Sequence, residues 1–452
     1  MNPENIPDIQ NLAETILTEA SQYKSQIQSA RRHIHANPGT GFDIPDTLSY
    51  VKQELEFMGY TPQPCGKAGL TALAGGSTPG KVFLLRADMD GLPIQEEAEV
   101  AFASQNGSMH ACGHDMHTAM LLGAARLLKQ HEDQIKGTVK LMFQPAEEIL
   151  EGSKDMIEAG VLDNPKVDAA MMFHVMVGVP FETGTAIVSA PGVSAPAADY
   201  FEICIQGKGC HGAMPNTGID PVPVAAQIIL GLQSIQTREL PMGERAVLTI
   251  GTIHGGTAPN VIPDTVTLAG SMRAFDEDTR AFIKKRMTEI AEGMAAMYGA
   301  QAVVTFGSGC PTLLNDKALA ECTGQYAKEL LGDAKALSAA QLTAQTGKEA
   351  KAGAHSDAIG SPSVNSGKKS VSEDDKSGQG RRKTTASGGS EDFAYVSHQV
   401  PSIMVALAAG QPQTGCSYPL HHPKAVFDED ALCTGSALYA YTAIRWLSNQ
   451  SV

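Results

Sequence analysis

Three short apolar runs constrain this chain most. Lys81-Val-Phe-Leu-Leu-Arg86, Thr138-Val-Lys-Leu-Met-Phe-Gln144 and Ala169-Ala-Met-Met-Phe-His-Val175 are too short for buried helices and lack the alternation of a strand wetted on one face. Continuous apolarity over that length marks strands covered on both faces, as in a parallel sheet layered with helices. Helical patterns lie around them. Ile9, Leu12, Ile16, Ala20, Ile27 and Ile34 recur at helical spacing through Ala36, ahead of Pro38. A second helix is expected from Asp115 to Lys129, and a last one from Asp428 to Leu447. Strands alternating with helices predict βαβ units and an α/β unit with a mostly parallel central sheet.

The pattern changes near Ala190. Tyr200–Gln206 alternates like a half-buried strand, and Asp220 and Pro221 open a helix as N-cap and first residue. Ala246–Ile253 and Asp264–Arg273 read as antiparallel strands, Asp276–Met297 as an amphipathic helix, and Gln301–Phe306 as a closing strand. The order βαββαβ suits a small α/β sandwich inserted into the larger unit. The boundaries expected are 1–189 with 308–452 for the large unit and 190–307 for the insert. The segment 355–389 is rich in Ser, Gly and Lys and has no aromatic residue, which reads as a mobile low-complexity insertion.

Charge and cysteine usage exclude several functions. With 49 acidic against 34 basic side chains the net charge is −15, which argues against binding nucleic acid or an anionic membrane. No apolar run reaches the roughly 18 residues that a spanning helix needs. Residues 1–8 lack a basic and apolar leader pattern. The 8 cysteines are irregularly spaced and suggest no disulfide framework, so a reduced, cytoplasmic setting is expected. Cys65, Cys204, Cys322 and Cys433 read as small core residues.

The chemistry-bearing residues cluster where strands end. Met109-His-Ala-Cys-Gly-His-Asp-Met-His-Thr-Ala-Met120 gathers His110, Cys112, His114, Asp115 and His117 at a loop-to-helix junction. Either a metal site or a redox or structural cysteine fits that stretch, though the paired-cysteine spacing of structural zinc is missing. Gln144-Pro-Ala-Glu-Glu148 ends a strand, where open α/β sheets place ligands, yet it also reads as a charged helix start. His174 suits a core histidine or a ligand, and Leu420-His-His-Pro423 a surface turn or a ligand pair. Asp88 and Asp90 in Arg86-Ala-Asp-Met-Asp-Gly-Leu-Pro93 suit groups that orient metal-bound imidazoles, or a plain turn. Together these Cys, His and carboxylate donors suit a transition metal.

The motifs RADMDGLP, MHACGHDMHTAM, FQPAEE, GKGCHGAMP, NVIP, GSMR, GSEDFAY and LHHP, in this order, resemble the M20 metallopeptidase family. They are most similar to its aminoacylase branch of hippurate hydrolases, N-acyl-amino-acid amidohydrolases and auxin-conjugate hydrolases. The resemblance implies a site for two divalent ions (manganese, zinc, cobalt or nickel) held by Cys112, His114, Glu148, His174 and His421, with Glu147 as general base. It implies that the insert is a ferredoxin-like lid and dimerisation domain, that His211 supports the tetrahedral intermediate, and that Asn260 and Arg273 hold the substrate carboxylate. His110 and His422 match neighbouring positions that are not expected ligands. Gly39 and Ile44 depart from the family's early acidic pattern. The function implied is hydrolysis of a small N-acyl amino acid or related amide by a homodimer. Rival readings are a carboxypeptidase or dipeptidase on the same scaffold and a catalytically silent metal-binding protein.

Overall fold

The computed structural model describes residues 9–339, 341 and 389–449, so all but the last residue of the segment read as a mobile insertion lies outside the described residues. The first apolar period forms two helices rather than one, α1 (Ile9–Gln22) and α2 (Lys24–Ala36). They part at Tyr23, whose hydroxyl donates to Gln130 at 2.9 Å and whose ring lies 5.4 Å from the Arg126 guanidinium. That anchoring bends the chain, while the bonds Tyr23 N to Glu19 O and Ile27 N to Tyr23 O persist.

Next come α3 (Pro45–Phe57), β1 (Gln63–Cys65), β2 (Gly69–Gly75), β3 (Val82–Asp88), α4 (His114–Gln130), β4 (Thr138–Gln144), α5 (Gly152–Glu158), β5 (Ala169–Met176), β6 (Ala186–Val188) and β7 (Gly192–Ala195). The chain then builds a smaller unit from β8 (Ala197–Gln206), β9 (Cys210–His211), α6 (Pro221–Ser234), β10 (Ala246–Gly255), β11 (Val261–Ile262), β12 (Thr265–Ala274), α7 (Glu277–Met297) and β13 (Gln301–Cys310). It returns through β14 (Leu313–Asn315), which pairs with β7, to α8 (Lys317–Leu331), β15 (Ala336–Ser338), α9 (Ala394–Ser397), β16 (Ser402–Ala408) and α10 (Ala431–Asn449).

The large sheet runs β1-β2-β4-β3-β5-β16-β6-β15. The three apolar runs are adjacent at its centre, where β4, β3, β5 and β16 are parallel. Along β3, Phe83, Leu85 and Ala87 join the core under α4 and α10, while Val82 and Leu84 face a second core containing Met142, Met156 and Phe393. Burial on both faces is why these strands show no alternation. The small sheet is antiparallel, in the order β10-β12-β8-β13. Its helices cover one face only, so Phe201, Ile203 and Ile205 are buried while Tyr200, Glu202 and Gln206 are exposed. Asp220 and Asp276 cap α6 and α7, accepting from Val222 N and Thr279 N. Among the described residues no helix is long and apolar enough to cross a membrane, and all eight cysteines are free thiols.

Candidate active site and metal centre

The site forms where β3, β4 and β5 end and α4 begins. Gly113 turns the chain into α4 with φ of +84°, and a Cβ there would lie 2.4 Å from Val175 Cγ2. Only glycine tolerates both conditions, and the turn sets Cys112 and His114 side by side. After β4, the Asp90 carboxylate accepts from Glu147 N at 2.9 Å and Glu148 N at 3.2 Å, fixing the acidic pair. Ala146 and Leu150 flank that pair with φ of 56° and 58°, and His421 sits at 64°. Non-glycine residues in this left-handed region are strained, and such strain concentrates at functional sites.

These constraints bring all five expected ligands together. Cys112 Sγ lies 3.6 Å from His174 Nε2 and 3.2 Å from His421 Nε2. Glu148 Oε1 lies 3.7 Å from His421 Nε2 and 3.8 Å from His114 Nε2, which is itself 3.9 Å from Glu147 Oε2. Donors bound tetrahedrally at 2.0–2.3 Å from an ion stand about 3.3–3.8 Å apart, so the spacing fits a transition metal. Hydrogen bonding fits it too. His114 Nδ1 donates to the Asp90 carbonyl and His174 Nδ1 to the Val175 carbonyl, each at 2.8 Å, which leaves both Nε2 lone pairs aimed at the cluster. His114 Nε2 and Glu148 Oε1 are buried without a hydrogen-bond partner among the described residues. Burial pushes the Cys112 thiol up and Glu148 to about 7, while burial together with His117 pushes His174 down to about 3. Burial, reinforced by Glu391, also raises Glu147 well above the usual carboxylate range.

The supporting residues divide differently from the expectation. Asp88 Oδ1 accepts from His117 Nδ1 at 2.6 Å, while Asp88 Oδ2 lies 3.7 Å from His114 Nε2, so the carboxylate orients His117 rather than an expected ligand. His117 Nε2 accepts from Val175 N at 2.9 Å, which occupies its second nitrogen. Asp90 orients His114 through its carbonyl and uses its carboxylate on the acidic pair. Asp115 is no ligand either: its Oδ2 takes Arg31 Nε at 2.7 Å and His35 Nδ1 at 2.8 Å, and His35 Nε2 meets Glu96 at 3.0 Å. His110 is buried beside that network with neither ring nitrogen hydrogen-bonded among the described residues, and His422 is partly exposed and stacked on Tyr418.

Sequence reasoning assigned no role to the charged wall beneath the site. Arg86 is fully buried, donates to Asp88 at 2.7 Å, Gln144 at 2.8 Å and Asp392 at 3.1 Å, and forms an ion pair with Glu391 at 2.9 Å. Asp392 also accepts from Gln144 Nε2 and Ser153 N. Tyr439 Oη donates to the Arg86 carbonyl at 2.6 Å and accepts from Phe173 N at 2.9 Å. The motifs containing Arg86, Glu391 and Asp392 were visible; their convergence was not. Nothing in the sequence set Tyr439 apart from Tyr441 two residues on in the same helix.

A cavity of about 1060 Å³ opens on the cluster and reaches the small unit. Cys112, Glu147, Glu148, His174 and His421 line it, as do Tyr200, Arg245 and Arg273 of the small unit. Its apolar lining includes Met176, Ile187, Val193, Met404 and Leu420. Arg273 Nη1 donates to Ser390 Oγ at 2.5 Å. His211 and Asn260 neighbour each other, since β9 pairs with β11 and Gly212 N donates to Asn260 O, but neither lines the cavity. Gly39 and Ile44 are also outside its lining, and Ile44 is buried in the large core.

A parallel sheet carrying Cys, His and carboxylate donors at its strand ends, with a second unit walling the cleft, defines a hydrolase of the metallopeptidase type. The sequence profile of Peptidase family M20/M25/M40 matches residues 84–445, and the chain belongs to that family. It is 34% identical to an N-acetylcysteine deacetylase of Bacillus subtilis (strain 168), over 93% of this chain and 97% of that protein. It is 40% identical to an N-acyl-L-amino acid amidohydrolase of Geobacillus stearothermophilus, over 67% of this chain and 81% of that protein. A solved Bacillus subtilis structure, described as a dinuclear metal-binding peptidase of the M20 family, superposes with a TM-score of 0.70 at 30% identity, covering 95% of this chain and 99% of its own.

Proposed function

We propose that this protein is an N-acyl-amino-acid amidohydrolase that holds two divalent metal ions. One observation carries the reading: a ligand-spaced Cys112, His114, Glu148, His174 and His421 cluster with orphaned polar atoms stands beside Glu147, in a cleft that Arg273 also lines. Manganese, zinc, cobalt and nickel all suit that mixed donor set. Bound ions of this kind polarise a carbonyl and lower the pKa of water. Glu147, held in place by Asp90, takes a proton from the attacking water and returns it to the leaving nitrogen. Arg273 pairs with the substrate carboxylate, and the apolar wall takes the acyl group. His211 and Asn260 reach the reacting carbonyl and the carboxylate only when the small unit, residues 190–307, closes over the cleft formed by 1–189 and 308–452. The exposed Val247 and Ile253 on the edge strand β10 support a homodimer through that unit.

The test is turnover of an N-acyl-amino-acid panel, with dipeptides in parallel, before and after chelation and refilling with each metal. Chelation is expected to abolish turnover and refilling to restore it. Glu147→Gln should retain metal and fold while losing about 10²–10⁴-fold in turnover. Full turnover by metal-free protein, or by Glu147→Gln, would end this reading; preference for dipeptides would reassign it to a peptidase.

A further inference from the structure

We propose that Glu391 contacts the substrate nitrogen, accepting a hydrogen bond from the scissile amide N–H and then holding the ammonium group of the released amino acid. The proposal rests on the amidohydrolase reading and deepens it. Glu391 is 6% exposed and lines the cavity with Glu147 and Arg273. Its Oε1 forms an ion pair with Arg86 Nη2 and accepts from Phe393 N, both at 2.9 Å, which fixes the carboxylate. Its Oε2 has no hydrogen-bond partner among the described residues, and as a side chain lining the cavity Glu391 can offer that oxygen to a donor on a bound molecule. Glu147, Glu391 and Asp392 each offer an oxygen within 4.8 Å of the others. A nitrogen about 2.8 Å from both Glu147 and Glu391 fits that span.

The neighbouring residues say which part of a substrate lies there. Ser390, one step before Glu391, accepts from Arg273, the cation assigned to the substrate carboxylate. The amino-acid half therefore lies along Ser390 and Glu391, with its nitrogen nearest Glu147 and its carbonyl toward Cys112 and His421. A third metal ion is a poor occupant. Arg86 already neutralises this corner, and both oxygens of Asp392 are engaged. During hydrolysis the water oxygen bonds to the carbonyl carbon, the C–N bond breaks with its electron pair on nitrogen, and both water protons end there. A nitrogen with one hydrogen becomes one with three, so an acceptor beside it favours product formation.

Two comparisons on the metal-loaded protein test this. In the first, calorimetry measures binding of a free amino acid and of the 2-hydroxy acid with the same side chain. In the second, kcat/KM is measured for an N-acyl amino acid and for the matching O-acyl 2-hydroxy ester, which lacks the N–H. Wild type should prefer the amino acid by about 10–100-fold, the range of a hydrogen bond to a charged group. Glu391→Gln should bring that preference within about threefold, and cut amide turnover about 10–100-fold while changing ester turnover less than about threefold. Glu391→Asp keeps the charge facing Arg86 but withdraws the oxygen, so it should lose the same preference and serves if the glutamine variant folds poorly. Equal losses on both members of each pair, or no loss, would overturn the proposal. Absence of wild-type turnover on every N-acyl amino acid would instead count against the amidohydrolase reading.

Discussion

Two buried polar clusters meet at the floor of the cleft and are built in opposite ways. Around Arg86 every charge has an opposite charge or a hydrogen bond: Asp88, Glu391, Asp392 and Gln144 surround the guanidinium. A few ångströms away, His114 Nε2 and Glu148 Oε1 are buried with no partner, and Cys112 faces two imidazoles. Burying polar groups is unfavourable unless they are paired. A saturated cluster therefore holds the scaffold rigid, whereas an unsaturated one leaves bonding capacity for something the chain does not supply. The network of Arg31, Asp115, His35 and Glu96 is likewise charge-paired, although Asp115 Oδ1 has no hydrogen bond among the described residues, and it braces the start of α4 from behind.

The sharpest way to break this contrast is unfolding in urea without metal. Arg86→Met should lower stability by about 3–5 kcal/mol, because it strands three buried carboxylates. A loss under about 1 kcal/mol would mean that the wall is not structural.

The His35 network should give a smaller, pH-dependent effect. Burial works against its charge, but Asp115 and Glu96 outweigh burial and raise the ring to about 9 from its usual 6.5. Because the folded value is the higher one, its stabilisation is complete below about pH 6.5 and is lost as pH rises through about 9. At ~1.4 kcal/mol per pKa unit, that is about 3 kcal/mol. Unfolding free energies of wild type minus His35→Gln should therefore shrink between about pH 6 and 10, and a difference independent of pH would refute the assignment.

Least affected should be His421→Ala, whose side chain is 53% exposed. Its metal-free stability should stay within about 0.5 kcal/mol of wild type. Added Mn²⁺ or Zn²⁺ should raise the melting temperature of wild type and raise that of the variant less, since an ion bound only to the folded state stabilises it. If neither ion moves wild type, the unsaturated cluster is not a metal site.

Much of this was legible in the chain. β4, β3 and β5 were visible because strands buried on both faces are apolar throughout, and the cap of α6 because Asp220 acts within two residues. The three-residue strands β1, β6 and β15 were not, since three residues carry no period. The break at Tyr23 depends on residues of α4 more than a hundred positions away. Among the candidate residues, Cys112, His114, Glu147, Glu148, His174 and His421 stood out by type, whereas Arg86, His35 and Tyr439 did not, because an isolated charge or hydroxyl reveals nothing about its partner.

By itself the sequence determined the order of elements and the donor types available at the strand ends, because both depend on neighbouring residues. Tertiary structure decided which polar groups are satisfied. Arg86 meets Asp392 across 306 positions and Cys112 meets His421 across 309, so whether a carboxylate braces the scaffold or stays open to a ligand is settled only when the sheet assembles. The physical reason is that pairing is a property of distance in space, and no local pattern of charge or hydrophobicity encodes it.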